Sequence, residues 1–316
     1  MRKLLITRPL PDAVIAAAKL RYDTTVRNNT LPLTADELRA ALLDYDAVLP
    51  TLGDLFRADV FADVPQPRAR ILANFGVGYN HIDANMARTA GIAVTNTPGA
   101  VTDATADVAM TLLLMTARRA GEGERCLRAG NWAGWHPTQM LGTHVTGAKV
   151  GIIGMGRIGK AIARRCHYGF GMDVVFHNRS AIDDPGCPAR QVVMAQAMAA
   201  DFVIVAVPGS PATHHLINAE TFGQMRPHGI LINISRGDVV DEAALIAALQ
   251  SGQIAGAGLD VYEFEPQIPA ALLAMENVTL LPHLGTAVAE VRQAMGMMAV
   301  ANLIAHLDGD PLPNAV

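Results

Sequence analysis

The run Val150-Gly151-Ile152-Ile153-Gly154-Met155-Gly156-Arg157-Ile158-Gly159-Lys160-Ala161-Ile162-Ala163 constrains this chain more than any other segment. A short apolar strand pattern passes into a G-x-G-x-x-G turn, and a helical pattern follows at once. Gly154 permits the tight turn, Gly156 lets a pyrophosphate approach the backbone, and Gly159 lets helix and strand pack closely. The N–H groups and positive dipole of the new helix then face the phosphates. Three glycines also suit any tight strand-to-helix turn, so the surrounding pattern has to carry the reading. The fingerprint heads a series of six strand-like apolar runs, near 149–153, 173–177, 202–207, 230–234, 255–260 and 278–281. Six strands are what a complete dinucleotide-binding fold needs.

An earlier series has strand-like runs near 3–8, 23–28, 47–50, 69–75 and 92–96, with helical patterns near 11–20, 34–43 and 81–90. Alternation of this kind along the whole chain predicts an α/β protein with parallel sheets. A length of 316 residues suits two domains. Between the two series, Val101 to Arg119 is apolar with helical character and opens on a helix-start pattern, Thr102 and Asp103. The stretch from about 286 to 309 predicts a last helix with no strand after it. That helix is expected to pack back on the first domain. Residues 1–99 plus 286–316 would then form one discontinuous domain, with a dinucleotide-binding domain, 100–285, inserted into it.

Composition removes other classes. With 51% hydrophobic and 17% charged residues the chain can bury enough apolar surface to fold. Its 25 Lys plus Arg against 29 Asp plus Glu leave no basic footprint, so nucleic acid is not an expected partner. Cys126, Cys166 and Cys187 are odd in number and lack metal-ligand spacing, which argues against a disulfide framework and against a metal site. A reducing cytoplasm is the expected location. Met1 to Arg8 is too short an apolar run for a secretory segment, and no later run of about 20 residues predicts a membrane span.

The end of the second strand of the later series bears on cofactor choice. An NAD site places an acidic residue roughly 20 residues past the fingerprint to receive the ribose hydroxyls. Here Met172-Asp173-Val174-Val175-Phe176-His177 runs into Asn178-Arg179-Ser180, with no carboxylate at its tip. A 2′-phosphate would then meet no repulsion, Arg179 could pair with it, and Ser180 could donate a hydrogen bond. NADP(H) is therefore the preferred cofactor and NAD(H) the alternative. Asn-Arg-Ser is also ordinary composition for a solvated loop.

Three later strands each end in a chemically capable residue. Ile230-Leu231-Ile232-Asn233-Ile234-Ser235-Arg236-Gly237 brings an arginine. Gly258-Leu259-Asp260-Val261-Tyr262-Glu263-Phe264-Glu265-Pro266 brings carboxylates, and Leu280-Leu281-Pro282-His283-Leu284-Gly285 brings a histidine. In an open parallel sheet the carboxyl ends of strands border the ligand crevice. Hydride chemistry on a 2-keto acid needs such parts: a planar bidentate partner for the carboxylate, a proton donor working at neutral pH, and a carboxylate that orients the imidazole.

With these motifs the chain resembles the D-isomer-specific 2-hydroxyacid dehydrogenase family over nearly its whole length. The resemblance rests on Asn74-Phe75-Gly76-Val77-Gly78-Tyr79-Asn80-His81-Ile82-Asp83, Thr102-Asp103-Ala104-Thr105-Ala106-Asp107, the Gly154 fingerprint, Asn233-Ile234-Ser235-Arg236-Gly237, Gly258-Leu259-Asp260-Val261, Glu265-Pro266 and Leu281-Pro282-His283. It implies two Rossmann-like, doubly wound parallel-sheet domains, the nucleotide domain inserted into a discontinuous flavodoxin-like substrate domain. It implies His283 as acid/base, Glu265 as its carboxylate partner in preference to Glu263, and Arg236 as the clamp on the substrate carboxylate. Val77 and Gly78 would add backbone N–H groups, and Leu52-Gly53-Asp54 and Tyr79 would line the far side of the pocket. Asp260 resembles the residue that anchors the nicotinamide amide, and Thr105 a phosphate or nicotinamide-side contact. The implied cofactor set extends to Arg157, Ile158, Val207, Pro208, Thr213, Ile234, Ser235, His283 and Gly285, beside Asn178, Arg179 and Ser180. The other histidines, among them His81, His136, His177, His214 and His215, read as structural or solvated.

Trp132-Ala133-Gly134-Trp135-His136-Pro137 before the fingerprint, with His177-Asn178-Arg179-Ser180 after it, is similar to the glyoxylate/hydroxypyruvate reductase branch. That branch implies a homodimer with the Trp135 segment at a two-fold contact; an ordinary hydrophobic staple is the other reading of the tryptophan. The expected activity is NADPH-preferring reduction of small 2-keto acids, glyoxylate and hydroxypyruvate first. The alternatives are a reductase of 2-ketogluconate or an aryl pyruvate, and a dinucleotide-sensing, corepressor-like binding protein without turnover.

Overall fold

Strands that are apolar at every position need cover on both faces, and a parallel sheet with helical crossovers supplies it. A computed structural model describes residues 1–316 and shows two such sheets. The chain divides into two compact units, Met1–Val101 with Ala287–Val316, and Thr102–Thr286.

In the first unit, β1 (Lys3–Ile6), α1 (Asp12–Lys19), β2 (Asp23–Val26), α2 (Ala35–Asp44), β3 (Ala47–Leu49), α3 (Ala58–Ala62), β4 (Ile71–Ala73), α4 (Ala84–Thr89) and β5 (Ala93–Thr95) alternate. The strands form a parallel sheet in the order β2-β1-β3-β4-β5, the flavodoxin-like winding. Interior β3 and β4 are buried at every residue, whereas edge strand β2 alternates exposed and half-buried.

The second unit holds α5 (Thr102–Ala117), α6 (Ala120–Arg128), β6 (Lys149–Ile153), α7 (Arg157–Arg164), β7 (Asp173–His177), β8 (Arg190–Gln191), α8 (Met194–Met198), β9 (Phe202–Val205), α9 (Ala219–Phe222), β10 (Ile230–Asn233), α10 (Glu242–Gln250), β11 (Gly256–Leu259), α11 (Ala270–Ala274) and β12 (Val278–Leu280). Its parallel sheet runs β12-β11-β10-β9-β6-β7-β8. The winding reverses between β6 and β9, and the fingerprint turn follows β6. That is the switch point where ligands bind in doubly wound sheets.

Helix α12 (Ala289–Asp308) belongs to the first unit, where it packs on α1 and β4. Ala299, Val300 and Leu303 join Leu4, Ile6, Val14 and Ala18 in one core cluster, and the Tyr22 hydroxyl donates to the Leu303 carbonyl at 2.7 Å.

Two sequence expectations change. The sheet of the second unit has seven strands rather than six, because β8 occupies the position beyond β7. Both residues of β8 are exposed and polar, so no apolar run announces it. Thr102 and Asp103 do not precede α5 as caps but lie in its first turn. Asp103 there pairs with Arg165 at 3.0 Å and suits the positive helix end.

Candidate active site

Strands β10, β11 and β12 are neighbours in the sheet, so their carboxyl ends emerge side by side. Arg236 follows β10, Asp260 and Glu265 follow β11, and His283 follows β12. Sequence positions far apart thereby share one edge.

Asn233, 1% exposed, shapes the first of these loops. Its Oδ1 accepts from the Ser235 N–H and hydroxyl at 3.1 and 2.9 Å, and its Nδ2 donates to the Arg236 carbonyl at 3.0 Å. Arg236 is half-buried and donates to the Ser235 carbonyl at 2.7 Å. Burial disfavours its charge and lowers its pKa, while the Glu265 and Asp238 carboxylates act in the opposite sense.

Glu265 holds a central place. Its Oε2 lies 2.9 Å from His283 Nδ1, and its Oε1 accepts from the Tyr262 N–H at 3.0 Å. Burial by itself would raise this carboxyl. The hydrogen bond and charge of His283, the Tyr262 N–H and the charge of Arg236 outweigh it and hold Glu265 below the ordinary value. An ionised carboxylate only accepts, so Nδ1 carries the hydrogen of this pair and Nε2 is the nitrogen that can exchange a proton. Glu263 turns elsewhere, to His215 Nε2 at 2.8 Å.

His283 has φ +54°, in the left-handed region that an L-residue occupies at a cost of about 1–3 kcal/mol. Its loop is held from below. Asp260, 1% exposed, accepts from the N–H groups of Leu284 and Gly285 at 2.6 and 2.8 Å, and Thr105 donates its hydroxyl to the Gly285 carbonyl at 3.0 Å. Asp260 and Thr105, expected as cofactor contacts, thus hold the loop that carries the histidine.

The fingerprint turn meets the requirements of a phosphate cradle. Gly154 has φ +100°, and a Cβ at Gly159 would stand 2.1 Å from the Gly154 carbonyl oxygen. A Cβ at Gly156 would meet nothing within 4 Å, so the space before α7 is open to a ligand. Arg157 and Ile158 begin α7, with Arg157 exposed. Asn178 accepts from the Met155 N–H at 3.2 Å and donates to the Ser180 carbonyl and hydroxyl at 3.0 and 3.2 Å, while Arg179 and Ser180 are exposed. Val207 and Pro208 follow β9, and the Thr213 hydroxyl closes that loop on the Pro208 carbonyl at 2.7 Å. Ile234 and Ser235, which precede Arg236, are buried. These residues fit a dinucleotide at the switch point.

In the first unit, the turn after β4 holds its carbonyls inward. Gly76, Val77 and Gly78 oxygens accept from the Thr97 N–H, Asn96 Nδ2 and Asn74 Nδ2 at 3.0, 2.9 and 3.0 Å. A trans peptide points its C=O and N–H in opposite directions, so the Val77 and Gly78 N–H groups face out of the turn. Buried His81 contacts Asn74 Oδ1 at 3.0 Å and sets which way that amide points. Leu52, 38% exposed, and Tyr79, 37% exposed, lie on loops after β3 and β4. The Leu52 carbonyl accepts from Arg8.

Sequence reasoning missed the residues that set these loops: Asn233, Tyr262, and Gln191, whose Nε2 donates to the Asn178 and Ser180 carbonyls. Asn233 at a strand end, two residues before Ser235-Arg236-Gly237, was the one local cue; the contacts of Tyr262 and Gln191 have none. Trp135 is 79% exposed and Trp132 52%, so Trp135 is no staple within its own chain.

A sequence profile of the D-isomer specific 2-hydroxyacid dehydrogenase NAD binding domain matches residues 110–285. The chain is 42% identical over 324 residues to a glyoxylate reductase of Thermococcus kodakarensis, covering 99% of this chain and 96% of that one. It is 35% identical over 303 residues to a glycerate dehydrogenase of Hyphomicrobium methylovorum, covering 94% of each. Its fold is similar to that of an NADPH-dependent glyoxylate/hydroxypyruvate reductase from Sinorhizobium meliloti, crystallised in complex with NADP and malonate. That similarity has a TM-score of 0.88 and 36% identity, covering 100% of this chain and 96% of the other. Likeness over the whole length, joined to the strand-end residues and the fingerprint, establishes that the chain belongs to the D-isomer specific 2-hydroxyacid dehydrogenase family of oxidoreductases.

Proposed function

We propose that this protein reduces small 2-keto acids to 2-hydroxy acids, first glyoxylate to glycolate and hydroxypyruvate to D-glycerate, with NADPH preferred over NADH. The observation that carries the reading is the convergence of Arg236, Glu265 and His283 on three adjacent strand ends, with Glu265 bonded to His283 at 2.9 Å. The similar glyoxylate reductase, glycerate dehydrogenase and NADPH-dependent reductase support the substrate class.

The nicotinamide cofactor, when bound, supplies the hydride to the keto carbon. Arg236 pairs with the substrate carboxylate through its planar fork and so orients the carbonyl. His283 Nε2 gives its proton to the keto oxygen as charge develops there, and Glu265, bonded to Nδ1, keeps the ring oriented. The outward N–H groups of Val77 and Gly78 serve as a further hold on the carboxylate. Arg179 and Ser180 bind the 2′-phosphate that distinguishes NADPH, and Asn178 removes the carboxylate that would repel it. In this reading the unit with the fingerprint holds the dinucleotide and the discontinuous unit contributes to the substrate. The protein acts as a homodimer through the Trp132 to Leu141 segment, in the reducing cytoplasm.

Initial rates on a panel of 2-keto acids with each cofactor test this directly. The highest kcat/KM is expected for glyoxylate or hydroxypyruvate with NADPH. A clear preference for 2-ketogluconate or an aryl pyruvate would overturn the substrate, and no turnover on any of them would overturn the enzyme reading.

A further inference from the structure

Gln191 sits on a two-residue edge strand and is exposed, where a glutamine amide ordinarily bonds to water. Here each part of the amide is used within the chain. Nε2 donates to the Asn178 carbonyl at 3.1 Å and to the Ser180 carbonyl at 3.0 Å, and Oε1 accepts from the Ile182 N–H at 3.0 Å. Exchanging the two amide atoms would set an acceptor against two carbonyls and a donor against an N–H, so the network admits one orientation. The bonds fall on alternate residues, 178, 180 and 182, and the residues they frame include Arg179. On the other side, Asn178 Oδ1 ties the same segment to the Met155 N–H of the fingerprint turn at 3.2 Å. Ser180 Oγ accepts from Asn178 Nδ2 at 3.2 Å, which leaves the hydroxyl hydrogen to be donated outward.

We propose that Gln191 is a specificity-determining positioning residue: it pre-organises the 178–182 loop so that Arg179 and Ser180 receive a phosphate monoester on the adenosine 2′ position. The inference rests on the cofactor reading above. A loop already bonded in its binding shape loses less conformational freedom when the ligand arrives. The benefit falls on the 2′-phosphate, because that group alone draws on Arg179 and Ser180 together. All three bonds of the Gln191 amide go to backbone groups of the loop, so Gln191 acts through Arg179 and Ser180.

The test uses the full chain and two probes, adenosine 2′,5′-bisphosphate and 5′-AMP, with dissociation constants measured by calorimetry. Gln191→Met keeps the length of the side chain and removes all three hydrogen bonds. Gln191→Glu retains the acceptor for Ile182 but turns acceptors toward the two carbonyls. Both are expected to weaken the bisphosphate about tenfold, the loss of a hydrogen bond or two, with 5′-AMP held within about twofold. The NADPH KM should rise with kcat at saturation unchanged. Equal weakening of both probes, or an unchanged bisphosphate, overturns the role of Gln191. Arg179→Asp separates the two readings. If it abolishes the bisphosphate preference while Gln191→Met leaves it intact, the cofactor reading stands and this inference fails. If the unmodified protein binds the two probes equally, the cofactor reading fails and takes the inference with it.

Discussion

His283 occupies a left-handed backbone conformation that its own chemistry does not favour, and the groups around it show how that is sustained. Asp260 grips the two N–H groups that follow, Thr105 grips the Gly285 carbonyl, and Glu265 takes the ring. The Glu265 carboxyl, held below its ordinary value in the fold, links this arrangement to pH. A depressed carboxyl contributes stability that is present above its unfolded pKa of about 4.3 and is lost as pH falls through the lower folded value. Glu265→Gln should therefore lower Tm at neutral pH and flatten its decline between about pH 5 and pH 3, measured by thermal melts at a series of pH values. An acid decline as steep as that of the unmodified protein would mean that the His283 pair contributes nothing to stability. At this scale the reactive residue types were legible, since few charged side chains stand at strand ends. Their helpers were not. Thr105 and Gly285 meet across 180 residues, and a sequence does not show that the Asp260 carboxylate meets the Leu284 and Gly285 N–H groups.

Element by element, the fingerprint behaves as a packing device as much as a binding one. Gly159 lies so close to the Gly154 carbonyl that a methyl group would stand 2.1 Å from its oxygen, and α7 would have to lift from β6. Gly159→Ala should destabilise the protein by about 1–3 kcal/mol in denaturant unfolding. Gly169→Ala, where a Cβ meets nothing within 4 Å, should be near neutral or slightly stabilising. Equal effects at the two positions would contradict the close-packing account. The interior strands announce themselves as apolar runs because both of their faces are covered. Edge strand β2 is partly polar yet falls within the strand-like run near 23–28, whereas β8 is too short and too polar to be found at all. That omission concealed Gln191 and the brace on the 178–182 loop.

Across the whole molecule, the first unit needs both chain ends. Helix α12 supplies Ala299, Val300 and Leu303 to a cluster whose other members are Tyr22 and residues of β1, β3, β4 and α1, each large buried aliphatic side chain contributing about 1.5–3 kcal/mol. The second unit has its own two core clusters, all drawn from residues 106–281. A chain ending at Thr286 should lose protection of residues 1–101 in limited proteolysis while a fragment near 102–286 survives. Persistence of residues 1–101 would show that α12 is dispensable. In the proposed function, catalysis falls to the three strand ends of the second unit. Steady-state reduction of glyoxylate by His283→Ala, with cofactor affinity measured in parallel, tests this most directly. Loss of general acid catalysis should lower kcat by about 10²–10⁴-fold with cofactor binding unchanged. Turnover near that of the unmodified protein would contradict the assignment of His283 as the proton donor.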